Sequence, residues 1–139
     1  MIVDAKGMVA GRLSTKIAKA LIKGEAVTIV NAEQAIIVGT TENIMEKFRM
    51  RVNAAVKSNP HFGPKYDRIP SKMLRRMVKG MLPSKKRTAL RMVKNLKVFN
   101  GVPKELSKEK FVVFEEYRCN EKHDFMTIKE IAQGLGGTW

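Results

Sequence analysis

Apolar positions change their period along this chain in a way that predicts alternating strands and helices. Ile2 and Val3 begin a short strand, residues 7–11 form a glycine-bounded turn, and Val9, Leu13, Ile17, Ala20 and Leu21 recur as one stripe of an amphipathic helix. Arg12, Lys16, Lys19 and Lys23 take the other faces. Gly24 stands where a left-handed residue closes such a helix. Residues 26–30 form a largely β-branched run without polar alternation apart from Thr28, the pattern of a strand covered on both faces, and hence of a sheet flanked by helices. Residues 35–38 form a second apolar run. The spacer 31–34 is too short for a parallel crossover, so this second run reads as a hairpin partner or a turn-like segment.

Thr40 or Thr41 is placed to cap a helix with Ile44, Met45, Phe48 and Val52 on one face. The stretch 57–70, KSNPHFGPKYDRIP, then removes backbone donors at Pro60, Pro64 and Pro70 and biases the residue before each towards extended geometry. It predicts a long ordered loop, and loops of that length are usually functional. Ser71 is placed to cap a helix with Met73, Leu74, Met77 and Val78 inward, which stops near Gly80 ahead of Pro83. Ser84 opens another, with Ala89, Leu90 and Val93 towards the core. Residues 97–99 read as a strand leaving through an Asn100-Gly101 turn, and 111–114 as a further strand. Thr127 and Glu130 have the spacing of a capping box for a last short helix ending at Gly134. The nine methionines fall mostly on inward faces as gap-filling core. The expected organisation is a single domain over 1–139, with a C-terminal extension from about residue 103.

Charge changes this picture most. Residues 47–97 hold sixteen Lys and Arg against one acid, Asp67, whereas the residues before carry five of each sign and those after carry six basic and seven acidic. The whole net charge of +14 therefore sits in the middle third. A solvated face would intersperse Glu and Lys for i,i+4 support, and this block has almost no acids to do so. Its cations surround two helices and continue through the proline loop, which fits a narrow amphipathic membrane helix poorly. Binding to a polyanion is the better account, with structured RNA able to press on several faces. His61, Phe62 and Tyr66 interleave with Lys57, Lys65 and Arg68 and offer rings for splayed bases, although Phe62 would equally serve to pin the loop to the core.

Other chemistry is sparse. Cys119 is the single cysteine, so an internal disulfide is impossible and a reducing interior is the expected compartment. Asp4 and Lys6 interrupt any signal-peptide core at the start, and no window approaches the ~20 apolar residues of a membrane span. Cys119 and His123 lack a second ligand pair for zinc, and a thiol–imidazole pair of Cys119 with His61 is not indicated by spacing. The turn from Gly7 to Gly11 lacks the G-x-G-x-x-G spacing, and no G-K-[ST] follows, so two glycines permitting a tight turn suffice. A nucleotide-using α/β enzyme stays as the alternative class.

Several stretches carry a resemblance. The segment VKGMLP at 78–83, the basic run after it, and LKVFNG at 96–101 resemble the large-subunit ribosomal protein family L-thirteen. The opening VDAKG at 3–7, GRL at 11–13 and VNAE at 30–33 are similar to that family's first strands and their exits. HFGP at 61–64 and the tail 127–139 resemble archaeal and eukaryotic members, and the short length favours an archaeal type. The resemblance spans essentially the whole chain. It implies a three-layer α/β/α domain around a four-stranded, mostly parallel sheet of order 3-2-1-4, in a non-enzymatic protein of the cytoplasmic ribosome that binds large-subunit ribosomal RNA and supports early subunit assembly. Neighbouring ribosomal proteins are the other implied partners. No cofactor, metal, membrane, small-molecule substrate or self-oligomer is expected.

The residues expected to meet RNA follow from block and resemblance together. Lys72, Arg75, Arg76, Lys79, Lys85, Lys86, Arg87, Arg91 and Lys94 are expected to contact phosphates from two adjacent helices. Lys47, Arg49 and Arg51 lead into the loop, where Lys57, His61, Lys65, Tyr66 and Arg68 insert between RNA elements. Arg12 adds a contact where the first helix begins and backbone N–H groups favour an anion. Lys16, Lys19 and Lys23 read as ordinary surface.

Overall fold

The strands come in two sets that differ in direction. A computed structural model describes residues 1–83, 87–107, 109–119 and 123–139. The elements in chain order are β1 (Ile2–Asp4), α1 (Ala10–Ile22), β2 (Val27–Val30), β3 (Ile36–Val38), α2 (Thr41–Asn53), α3 (Pro70–Gly80), α4 (Arg87–Lys94), β4 (Leu96–Val98), β5 (Phe125–Thr127) and α5 (Ile128–Gly134). β2 lies between β1 and β4, and both pairs are parallel, with Val3 opposite Ile29 and Ile29 opposite Val98. Beyond β1 a fourth position is held by Val112, in a parallel bridge to Val3. The spatial order of β4, β2, β1 and residue 112 is the expected 3-2-1-4, with β4 as the third strand. The fold is thus α/β with a mostly parallel sheet, and the expected strand over 111–114 is reduced to that single bridge.

β3 departs from the local reading. It neither forms a hairpin with β2 nor remains a turn, but pairs antiparallel with β5, Ile37 opposite Met126. A partner so remote in sequence leaves no trace in local periodicity. Between β2 and β3, Asn31 takes a left-handed conformation with φ of 55°. Its side-chain amide donates to the Asp4 carboxylate at 2.9 Å, so the β1 exit fixes the β2 exit.

The core is built from the expected stripes. Leu13, Ile17 and Leu21 of α1 are fully buried beside Val27 and Ile29 of β2, with Met73, Leu74 and Val78 of α3 in the same cluster. Each such side chain contributes roughly 1.5–3 kcal/mol relative to exposure. Gly24 follows α1 with φ of +93°, as its position predicts. α5 opens with the expected capping box: Thr127 N–H donates to Glu130 Oε2 at 2.8 Å and Glu130 N–H to Thr127 Oγ1 at 3.2 Å.

One helix start differs from expectation, and another falls outside the described residues. Ser71 does not cap α3, because the helix begins one residue earlier, with Pro70 in its first turn and Ile69 at the cap. The Ser71 N–H is instead accepted by Asn100 Oδ1 at 2.9 Å, from the turn that follows β4. Ser84 lies outside the described residues, and so does the Ala89 side chain. Leu90, expected inward, is 72% exposed, while Met92 and Val93 pack against the core.

Candidate nucleic-acid interface

Between α2 and α3 the chain runs as a long irregular loop with one 3₁₀ turn at Pro60–Phe62, as the prolines dictate. Gly63 pinches the loop, since a Cβ there would lie 2.9 Å from the Ala55 Cα. Further on, Gly137 approaches the Arg68 backbone so closely that a Cβ would collide with the Arg68 carbonyl oxygen. The ring that ties this loop to the core is Tyr66, half-buried and edge-on to Phe48 at 5.9 Å between centroids. Phe62 has no pinning role, because it is 81% exposed on the 3₁₀ turn beside exposed His61.

The cations sort into groups that the sequence does not reveal. Lys72, Arg75, Arg76 and Lys79 of α3 line a groove of about 790 Å³ with Asp67, Gly80 and Val93. Arg75 Nη2 donates to the Val93 carbonyl at 3.2 Å, which joins the end of α4 to α3. Arg76 also lines a second cleft of about 510 Å³ with Arg51, Lys65, Tyr66, Gly11 and Gly80. Lys47 and Arg51 border a third groove, at the first turn of α1, with Gly11 and Ile36. Arg91 and Lys94 are exposed on α4. Among the described residues the middle third makes one ion pair, Lys72 to Asp67 at 3.8 Å, with both side chains about half exposed. Such a pair is worth about 0–1 kcal/mol, so the field of the cluster is left almost unneutralised.

Some expected members stand apart. Arg49 shares its groove with Glu42 and Glu46 on α2, away from the acid-poor clefts. Arg68 approaches Gly136 in the C-terminal tail. Lys57 is exposed near the loop start and Arg12 on the first turn of α1. Lys85, Lys86 and the side chain of Arg87 lie outside the described residues. Residues not singled out as site members also contribute: Gly11 and Gly80 open the second cleft, and a Cβ on either would meet nothing within 4 Å. Their signal is the GRL and KGMLP segments, which mark the family without revealing that both face one cleft. Among the described residues no group of His, Cys, Asp or Glu could hold a metal ion, and no helix is long and apolar enough to cross a membrane.

A parallel α/β scaffold carrying cation-lined clefts, with one weak acid partner, defines a basic protein suited to an anionic surface. The particular family is shown by comparison: the model of the ribosomal protein L13 family matches residues 1–105, and the chain belongs to that family. The large ribosomal subunit protein uL13 of Methanosphaera stadtmanae is 40% identical over 136 residues, covering 97% of this chain and 96% of that protein. Those of Archaeoglobus fulgidus and Sulfolobus acidocaldarius are 35% and 36% identical, covering 97% and 99% of this chain and 86% and 93% of those proteins. These archaeal matches extend through the tail beyond residue 105. The family is structural rather than enzymatic, which removes the nucleotide-using enzyme as a reading.

Proposed function

We propose that this chain is a structural constituent of the large ribosomal subunit, folded as one domain and working on the ribosome in the cytoplasm. Its middle third binds large-subunit ribosomal RNA and supports early subunit assembly. The observation that carries this reading is the pair of cation-lined grooves flanking α3, which hold Arg51, Lys65, Lys72, Arg75, Arg76 and Lys79 against a single acid, Asp67. Family membership and the names of the archaeal relatives support the large-subunit assignment.

The mechanism is electrostatic positioning. Cations on α3, on α4 and in the loop displace condensed counterions from RNA, and such contacts fix register and shape rather than base sequence. The first turn of α1, where Gly11 and Arg12 are exposed and no side chain is acidic, adds an anion-favouring end. From their sequence positions, Lys85, Lys86 and Arg87 are proposed as further phosphate contacts, and the more nearly neutral C-terminal part is left for neighbouring ribosomal proteins.

With six to ten phosphate contacts, affinity for large-subunit RNA falls by roughly 10³ to 10⁵ between 50 and 200 mM salt, by analogy with duplex DNA. Charge reversal at Arg75, Arg76, Arg87 and Arg91 together removes the protein from large subunits sedimented through a high-salt gradient and leaves the isolated protein folded. Normal co-sedimentation of the folded variant would show that the surface is elsewhere.

A further inference from the structure

Tyr66 is the residue whose surroundings say most about how the cations work. Its ring is half-buried against the core, edge-on to Phe48, and carries two guanidinium groups. The Arg76 guanidinium carbon lies 4.6 Å from the ring centroid and that of Arg51 lies 5.9 Å away. Arg51 also lies 5.5 Å from the Phe48 centroid, and Arg76 Nη1 donates to the Lys65 carbonyl at 2.8 Å. Each arginine is thus held by a ring or a carbonyl. Neither holder carries a neutralising charge.

The cleft that Arg51, Tyr66 and Arg76 share contains no carboxylate among its lining residues and has a volume of about 510 Å³. Two guanidinium groups on one ring repel each other, and the ring quadrupole attracts each without neutralising either. A backbone phosphate supplies the missing charge, and guanidinium is the side chain best matched to its geometry. We infer that Arg51 and Arg76 form a preset seat for RNA backbone phosphates around the Tyr66 ring, with Tyr66 as a positioning residue and not a platform for a splayed base. This rests on the RNA-binding reading above and deepens it. It replaces the expectation that Tyr66 stacks on a base.

The test exploits the fact that Tyr66 is uncharged. Binding of the full chain to an in vitro transcript of large-subunit ribosomal RNA is measured against salt for wild type, Y66F, Y66L, R51Q/R76Q and the triple variant. Y66F should match wild type, because the ring is retained. Y66L should lower the slope of log affinity against log salt by about one for each phosphate no longer neutralised, although it removes no charge. The triple variant should fall no further than R51Q/R76Q. A weaker Y66L with unchanged slope would mean base stacking, and a triple variant that loses additively would mean independent contacts, so either outcome overturns the seat. If Y66L does not fold by thermal melt, the single variants R51Q and R76Q are measured beside R51Q/R76Q and carry the test, with sub-additive losses expected and additive losses overturning it. Wild-type binding that ignores salt would instead remove the RNA-binding reading itself.

Discussion

The middle third and the segment beyond residue 103 order their charged side chains by different means. In the first, Arg75 and Arg76 are held by backbone carbonyls, and Arg51 and Arg76 by aromatic rings. In the second, Arg118 pairs with Glu115 at 3.0 Å and Glu130 closes the Thr127 cap. Carbonyls and rings fix a cation while leaving its charge available. Carboxylates fix it by cancelling it. One fold therefore keeps an organised positive field in one region and a nearly balanced set of charges in the other, and the difference shows in the partners of these arginines.

The strongest way to break that contrast is to ask whether the two regions fold together. Ile131 of α5 is fully buried, and α5 packs against both α2 and α3. Ile131→Ala, made in a Tyr117→Phe background so that Tyr66 reports on the basic region alone, should cost about 2–5 kcal/mol in denaturant unfolding, with the tyrosine and helix signals lost in one transition. Two separate transitions would mean that the regions are independent.

A smaller effect sharpens it. Thr127→Ala removes half of the capping box and should cost about 1 kcal/mol while leaving the salt slope of RNA binding as in wild type. A changed slope would show that the tail takes part in binding phosphate. Smallest of all is Asp67→Asn, which breaks a half-exposed pair and should shift stability by about 1 kcal/mol or less. RNA affinity should hold or rise slightly as Lys72 is released, and a clear loss would mean that Asp67 orders the groove.

How much is legible in the sequence follows the same division between local and remote causes. The stripes of α1, α2 and α3 and the cap of α5 depend on residues three or four apart, and periodicity finds them. The α3 start escapes a local reading because its first turn is satisfied by Asn100, from another element. The pairing of β3 is out of reach because β5 lies so far along the chain. For the candidate site, the cation count is plain from composition. The directions of those side chains are not, since Arg49 faces glutamates while Arg51, two residues on, faces Tyr66.

The remote partner of β3 also has a consequence in time. A chain made from its N-terminus exposes the Ile36–Val38 edge until residue 127 has emerged, several seconds at roughly 5–20 residues per second. Throughout that interval an unpaired strand edge is open to wrong partners. The cations of residues 47–97 emerge inside the same interval, so they leave the site of synthesis before the strand that closes β3 has been made.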